Sequence, residues 1–200
     1  QIAGKIKIIK GENALKQAHN QLELKVEART AELQIINTDL TDSINYAQRI
    51  QNAILPIETE IRGTFDDVFV MHIPRDTISG DFYWFHHREG ITHVAVVDCT
   101  GHGVPGALIS MIGNNLLNHS IIDLGIMDPG EILKEMDDYL SKMLKQDENG
   151  DDVNDGMDMS LCMINHNTGT LKFAGAQNAG LLIQNGEMLP LLASKYTIGG

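Results

Sequence analysis

Cysteine is nearly missing: Cys99 and Cys162 are the only two in 200 residues, far apart and inside apolar runs. That argues against a disulfide framework and fits reduced thiols in a cytoplasmic setting. Cations are scarce too. Lys and Arg number 15 against 27 Asp and Glu, a formal charge of −12. Nucleic acid and anionic membranes reward Lys/Arg clusters, so neither is expected as the main partner. No apolar run reaches the roughly 18 residues of a membrane-spanning helix, and there is no internal repeat or low-complexity segment. The length allows one domain with a real core plus an appendage.

Breakers are absent from one long stretch. No Gly or Pro falls between Glu12 and Leu55, and Pro56 closes the run. Positions 22, 26, 29, 33, 36, 40, 43, 47, 50 and 54 follow 4-3 spacing, and only Arg29 and Ser43 among them are not apolar. This predicts a long helix with a coiled-coil seam, serving a homodimer through residues 22–54. The alternative is a single helix lying on its own domain. The expected division is a helical segment over 1–56 and a globular domain over 57–200.

Within the globular part, Val68–Ile73 reads as a strand. The hairpin after it is the chemical centre of the sequence. Asp81-Phe-Tyr-Trp84 and Val96-Val-Asp98 are apolar strands that each carry a carboxylate, joined through the polar turn His87–Gly90. Neighbouring strands lie about 5 Å apart, so such a hairpin can hold Asp81 and Asp98 side by side. Two carboxylates that close must share a proton or a cation, and hard oxygen donors suit Mg²⁺ or Mn²⁺. Turn-capping aspartates are the structural alternative.

Gly101-His-Gly-Val-Pro-Gly106 forms a glycine-rich turn, with Pro105 in the first turn of a helix running to about His119. It reads either as a phosphate nest or as a tight turn that delivers Asp98; without a P-loop lysine, nucleotide binding is not expected. Leu108, Met111, Ile112 and Leu116 are the expected apolar side of that helix. A second helix, capped by Asp128, carries Ile132, Leu133, Met136, Tyr139, Leu140, Met143 and Leu144 on its apolar face. Gln146–Gly156 reads as an acidic loop that only loosely imitates a Ca²⁺ loop. Strands are expected over 157–165, 170–176, 180–184 and 187–192, with hairpin turn chemistry at Asn167–Gly169 and Asn185-Gly186. The methionines at 136, 143, 157, 159 and 163 read as core filler. The fold class is α+β.

Three ordered motifs carry a family resemblance: Ser79–Trp84, Val97–Ala107 and Gly169–Gly180. Together they resemble the SpoIIE/RsbU-like branch of the metal-dependent PPM serine/threonine phosphatases, over roughly residues 46–200. Lys25–Leu33 is similar to signalling helices that follow bacterial sensor modules, and Ala47–Pro56 to the helix leading into such phosphatase domains. The resemblance implies a β-sandwich flanked by helices, with two Mn²⁺ or Mg²⁺ ions at one edge. Asp81 and Asp98 match the family's first two metal aspartates, and Cys99 the residue that lends a backbone carbonyl. A metal-activated water would then attack a phosphoserine or phosphothreonine, with no phosphoenzyme.

In the family further metal aspartates come after the Asn-Ala-Gly motif, so a C-terminally truncated domain, binding metal weakly, is expected. Asp155-Gly-Met-Asp158 imitates a metal motif but precedes Gly169–Gly180, and is left out of the metal set. His102 is a candidate proton donor, four residues after Asp98 where the more familiar branch has its histidine two residues after the aspartate. Arg75 could bind phosphate or merely serve a turn, and Cys99 is expected to be structural rather than nucleophilic. The implied partners are a phosphorylated protein such as an anti-sigma-factor antagonist, and an upstream sensor that could tether the parent protein to a membrane. The competing reading is a phosphatase-like module that works by contact alone.

Overall fold

The structure, a computed structural model, describes residues 2–144 and 155–199. Most of the expected acidic loop at Gln146–Gly156 lies outside the described residues. The chain divides into two compact units, Gln1–Tyr46 and Ala47–Gly200. The first is helix alone. Helix α1 runs Ile2–Ile54, so its last two turns belong to the second unit. Thr30, Thr38, Thr41 and Ser43 return their hydroxyls to the carbonyls four residues back, which satisfies them within the helix. Leu22, Val26, Leu33, Ile36 and Leu40 of the seam are exposed. Pro56 ends the run because it disfavours helical geometry at Leu55 and lacks a donor. No described helix is long and apolar enough to cross a membrane.

The second unit is α+β, as the sequence indicates. A short helix α2, Glu58–Thr64, precedes the strands β1 (Phe82–Arg88) and β2 (Ile91–Cys99). Helix α3, Gly103–Asn118, ends in a π-helical turn at His119–Asp123, and α4 spans Pro129–Leu144. Strands β3 (Met157–Asn165) and β4 (Thr170–Ala176) complete an antiparallel sheet of order β1-β2-β3-β4. β5 (Gly180–Gln184) and β6 (Glu187–Leu191) form a separate hairpin. Two of the turns are tight pairs in left-handed geometry, Glu89-Gly90 and Asn185-Gly186, which matches the twist of the strands they join. The Asp128 carboxylate caps α4 through the Gly130 N–H at 3.0 Å.

Helices cover one face of the four-stranded sheet. Phe82, Trp84, Ala95, Val97 and Cys99 meet Met157, Met159 and Leu161 there, against Leu116 and Leu117 of α3 and Ile132, Met136 and Leu140 of α4. Each large side chain buried this way contributes about 1.5–3 kcal/mol. The buried stripe of α3 keeps the expected Leu116, with Ile112 packed against the core, but Leu108 is exposed, while Ala107, Ser110, Gly113 and Asn114 face inward with Leu117. Small residues win because the helix passes close to the sheet. A Cβ on Gly113 would lie 3.0 Å from the Met157 sulfur. Met143 is likewise exposed rather than core.

The expected strand at Val68–Ile73 does not form. Among the described residues the stretch has no ladder partner, and Phe69, Met71 and Ile73 are 85%, 75% and 75% exposed. Apolar residues fall on both sides of its alternation, but among the described residues β1 hydrogen-bonds only to β2, and a strand without a neighbour has nothing to hold it. Residues 67–73 instead border a cleft of ≈ 840 Å³ over the second face of the sheet, lined also by Tyr83, Phe85, Val94 and Val96.

Candidate metal centre

The register of the first hairpin places the carboxylates. Phe82 pairs with Val97, so Asp81 and Asp98 stand opposite each other one step beyond the ladder, on the sheet face turned away from the helices. Both are exposed at the strand ends. Asp98 is held above the usual carboxylate range, first by partial burial, then by the neighbouring Asp81 carboxyl as a hydrogen-bonding partner and as a charge. Two carboxylates this close repel, and a proton or a cation between them relieves the repulsion.

Backbone contacts fix the loop that carries Asp81. A Cβ on Gly80 would lie 2.9 Å from the Gly101 carbonyl oxygen and 3.2 Å from that of Cys99; one on Gly106 would lie 2.6 Å from Gly101 O. Only glycine permits these approaches, so the start of α3 packs directly onto the start of β1. The Cys99 carbonyl therefore lies on the Asp81 side of β2, while its side chain is in the core. Burial pushes the Cys99 thiol far up, with Asp81 and Asp98 adding to the shift, so it is no nucleophile.

Gln51, in the last turn of α1, is buried and grips the same loop. Its side-chain oxygen accepts from Ser79 N–H at 3.0 Å, and its amide donates to Ser79 O at 2.5 Å and to Ser110 Oγ at 3.0 Å. Ser79 Oγ in turn accepts from Asp81 N–H at 3.0 Å. The heptad pattern does not single Gln51 out, since it is not a seam position.

Chain order argues against Asp158 as a ligand, yet β2–β3 pairing sets it opposite Asp98. Asp81, Asp98 and Asp158 thus form a row across three strands, which only the antiparallel register reveals. Among the described residues, however, no three His, Cys, Asp or Glu converge closely enough to hold a metal ion. His102 lies between two glycines of positive φ, Gly101 and Gly103, and its Nδ1 is 2.9 Å from an Asp76 carboxylate oxygen. Arg75, Asp98, Cys99, Thr100, Gly101, His102 and Asp158 line one open cleft of ≈ 400 Å³.

Residues 88–199 match the family described as Stage II sporulation protein E (SpoIIE). The chain belongs to the SpoIIE family. The match includes Asp98, Cys99, His102 and Asp158 but begins after Asp81. The chain is also similar to the SiaA PP2C domain of Pseudomonas aeruginosa, at 33% identity and a TM-score of 0.72, over 82% of this chain and 64% of that one. It therefore spans a little under two-thirds of that relative's length. A bacterial stressosome structure is similar at 22% identity and TM-score 0.45, covering 60% of this chain and 56% of that one. A SpoIIE family protein of Thermanaerovibrio acidaminovorans stands at 17% and 0.44, over 54% and 51%. At that distance neither of the last two bears on the chemistry of this chain. No curated protein matches the sequence.

The residues of this SpoIIE-family chain suit a hard divalent cation in chemistry. Two carboxylates and a backbone carbonyl are oxygen donors of the kind Mg²⁺ and Mn²⁺ prefer.

Proposed function

We propose that this chain is the output part of a metal-dependent phosphoprotein phosphatase that hydrolyses phosphoserine or phosphothreonine on a partner protein. The observation that carries the reading is the Asp81–Asp98 pair, set opposite each other by the hairpin register and exposed at the strand ends. Asp81, Asp98 and the Cys99 carbonyl would hold Mn²⁺ or Mg²⁺. When bound, such ions lower the pKa of a coordinated water and neutralise phosphate charge. Arg75 lines the adjoining cleft and offers a planar donor fork for phosphate oxygens. The substrate class is a phosphorylated regulatory protein, such as an anti-sigma-factor antagonist.

In this reading an upstream sensor acts through α1, which dimerises along residues 22–54 in a cytoplasmic setting; 1–56 is the signalling helix and 57–200 the phosphatase domain. The exposed apolar row of α1 supports a second helix as its partner. Gln51 supplies the link to the site, since it holds both backbone groups of Ser79 two residues before Asp81.

The test is Mn²⁺-dependent release of phosphate from a phosphoserine protein by the full-length protein, with Asp98→Asn beside it. Wild-type activity that disappears in the variant supports the proposal; equal activity in both sinks it. A second reading, a phosphatase-like contact module without metals, is favoured by the lack of a third converging ligand among the described residues. Calorimetric titration with Mn²⁺ separates the two, because the contact module predicts no heat dependent on Asp81 and Asp98.

A further inference from the structure

His72 inverts the hydrophobic pattern of its segment. Its neighbours Met71 and Ile73 are both 75% exposed, while the imidazole between them is half-buried against β1. A polar ring turned inward where two apolar side chains turn outward needs a physical cause. Two contacts supply it. The ring meets Tyr83 edge-on, at 5.9 Å between centroids and 70° between planes. Its Nε2 lies 3.1 Å from the backbone carbonyl oxygen of Asp81.

A carbonyl oxygen only accepts, so Nε2 carries a hydrogen whichever charge state the ring adopts. Asp81 stands just before β1, outside the ladder that β2 provides, and its backbone groups need partners from elsewhere. The N–H donates to Ser79 Oγ at 3.0 Å, and the carbonyl accepts from His72. Side chains from two separate stretches thus hold both backbone groups of one residue. β1 itself does not depend on the second bond, because β2 pairs with it along its whole length from Phe82 to Arg88. What the bond fixes is the peptide that joins Asp81 to Phe82. An aspartate carboxylate is only two torsions from its backbone, so its position follows that peptide closely. Divalent cations, Mg²⁺ above all, tolerate little error in where a ligand oxygen sits.

We propose that His72 is a positioning residue of the metal centre, fixing the Asp81 carboxylate by donating from Nε2 to the Asp81 carbonyl. The inference rests on the metal-dependent reading above. His72 lends no atom to the cation and acts through Asp81 alone. Groups that hold a metal ligand in place in this way are worth about 10–100-fold in metal affinity.

Calorimetric titration of the full-length protein with Mn²⁺ tests it. His72→Phe keeps a ring against Tyr83 and removes the donor, and it should raise the Mn²⁺ Kd about 10-fold. His72→Gln sets an amide N–H near the place of Nε2 and should restore most of the wild-type affinity. Arg62→Ala is the control for a loosened segment, because Arg62 holds the Val68 carbonyl and not Asp81; it should leave Kd unchanged. Histidine ¹⁵N shifts of the metal-free protein should show His72 with its hydrogen on Nε2, a readout independent of turnover. Four results would each overturn the proposal while leaving Asp81 and Asp98 as ligands: a Kd equal in His72→Phe and wild type, equal losses in His72→Phe and His72→Gln, a loss in Arg62→Ala as large as in His72→Phe, or a hydrogen on Nδ1 alone. A wild type that gives no Mn²⁺ heat, or whose heat survives Asp98→Asn, would overturn the metal reading and the role of His72 with it.

Discussion

Removing the charge of Asp98 should stabilise the metal-free protein, although the residue is proposed to be essential to its chemistry. The folded state holds Asp98 above its ordinary carboxylate range. For a carboxyl raised on folding, stability is complete below the unfolded-state pKa and is lost as pH rises through the folded value. At pH 7 wild type therefore carries a penalty that at pH 3.5 it does not. Two unit charges about 5 Å apart repel by about 0.8 kcal/mol in water, and the exposure of both carboxylates favours that low figure over the several-fold larger value of a protein interior.

Asp98→Asn should thus raise stability by about 1 kcal/mol at pH 7, or about 2–4 °C in Tm for a unit of this size, and by almost nothing at pH 3.5. Mn²⁺ reverses the order. At ten times its Kd the ion adds about 1.4 kcal/mol to wild type through mass action and should add nothing to the variant. Urea unfolding at both pH values, with and without Mn²⁺, reads all four quantities. An Asp98→Asn protein less stable than wild type at pH 7 without cation, or an equal gain from Mn²⁺ in both proteins, would refute the repulsion and the metal assignment respectively.

Gln51→Ala should cost about 2–3 kcal/mol in urea unfolding, because it strands both backbone groups of Ser79 in a buried position. Gly106→Ala should destabilise by more than about 2 kcal/mol, since the new Cβ meets the Gly101 carbonyl with no flexible group to yield; its Mn²⁺ affinity, measured by calorimetry, should fall as well. Cys99 should react with a thiol reagent at pH 8 only at the rate of unfolding, being buried with its thiol pushed up, and faster labelling in native buffer would contradict its place in the core.

Much of the fold was legible because local chemistry and tertiary outcome agree. The tight turns announce themselves by Gly and Asn, α4 by its cap and spacing, and β1 to β6 by runs that end at those turns. Val68–Ile73 misled because alternation and apolar content say that a segment suits a sheet, not that a sheet edge is there to receive it. The buried face of α3 misled in the opposite sense. Leu108 has the greater hydrophobicity, but Gly113, Ser110 and Ala107 have the size that lets a helix settle on Phe82 and Met157. Asp158 was hidden by chain order, because β2 and β3 are separated by two helices and only their pairing makes Asp98 and Asp158 neighbours.

The least legible residue, Gln51, is the one that the proposed control through α1 depends on. A glutamine in the last turn of a polar helix carries no sequence signal, yet it contributes both its acceptor and its donors to one serine backbone and one hydroxyl. Those bonds are short and directional, and they weaken steeply once stretched or bent. In an α-helix each residue turns the face by about 100°, so a one-residue change of register in α1 would carry the Gln51 amide off Ser79 altogether. Ser79 then loses the partner that holds its N–H and carbonyl, and its hydroxyl is what fixes the Asp81 backbone. In the proposed dimer, a change of packing along the expected seam would reach the placement of a proposed metal ligand through this one side chain. Such a link acts as a threshold rather than a graded spring, because a buried amide is either paired or stranded.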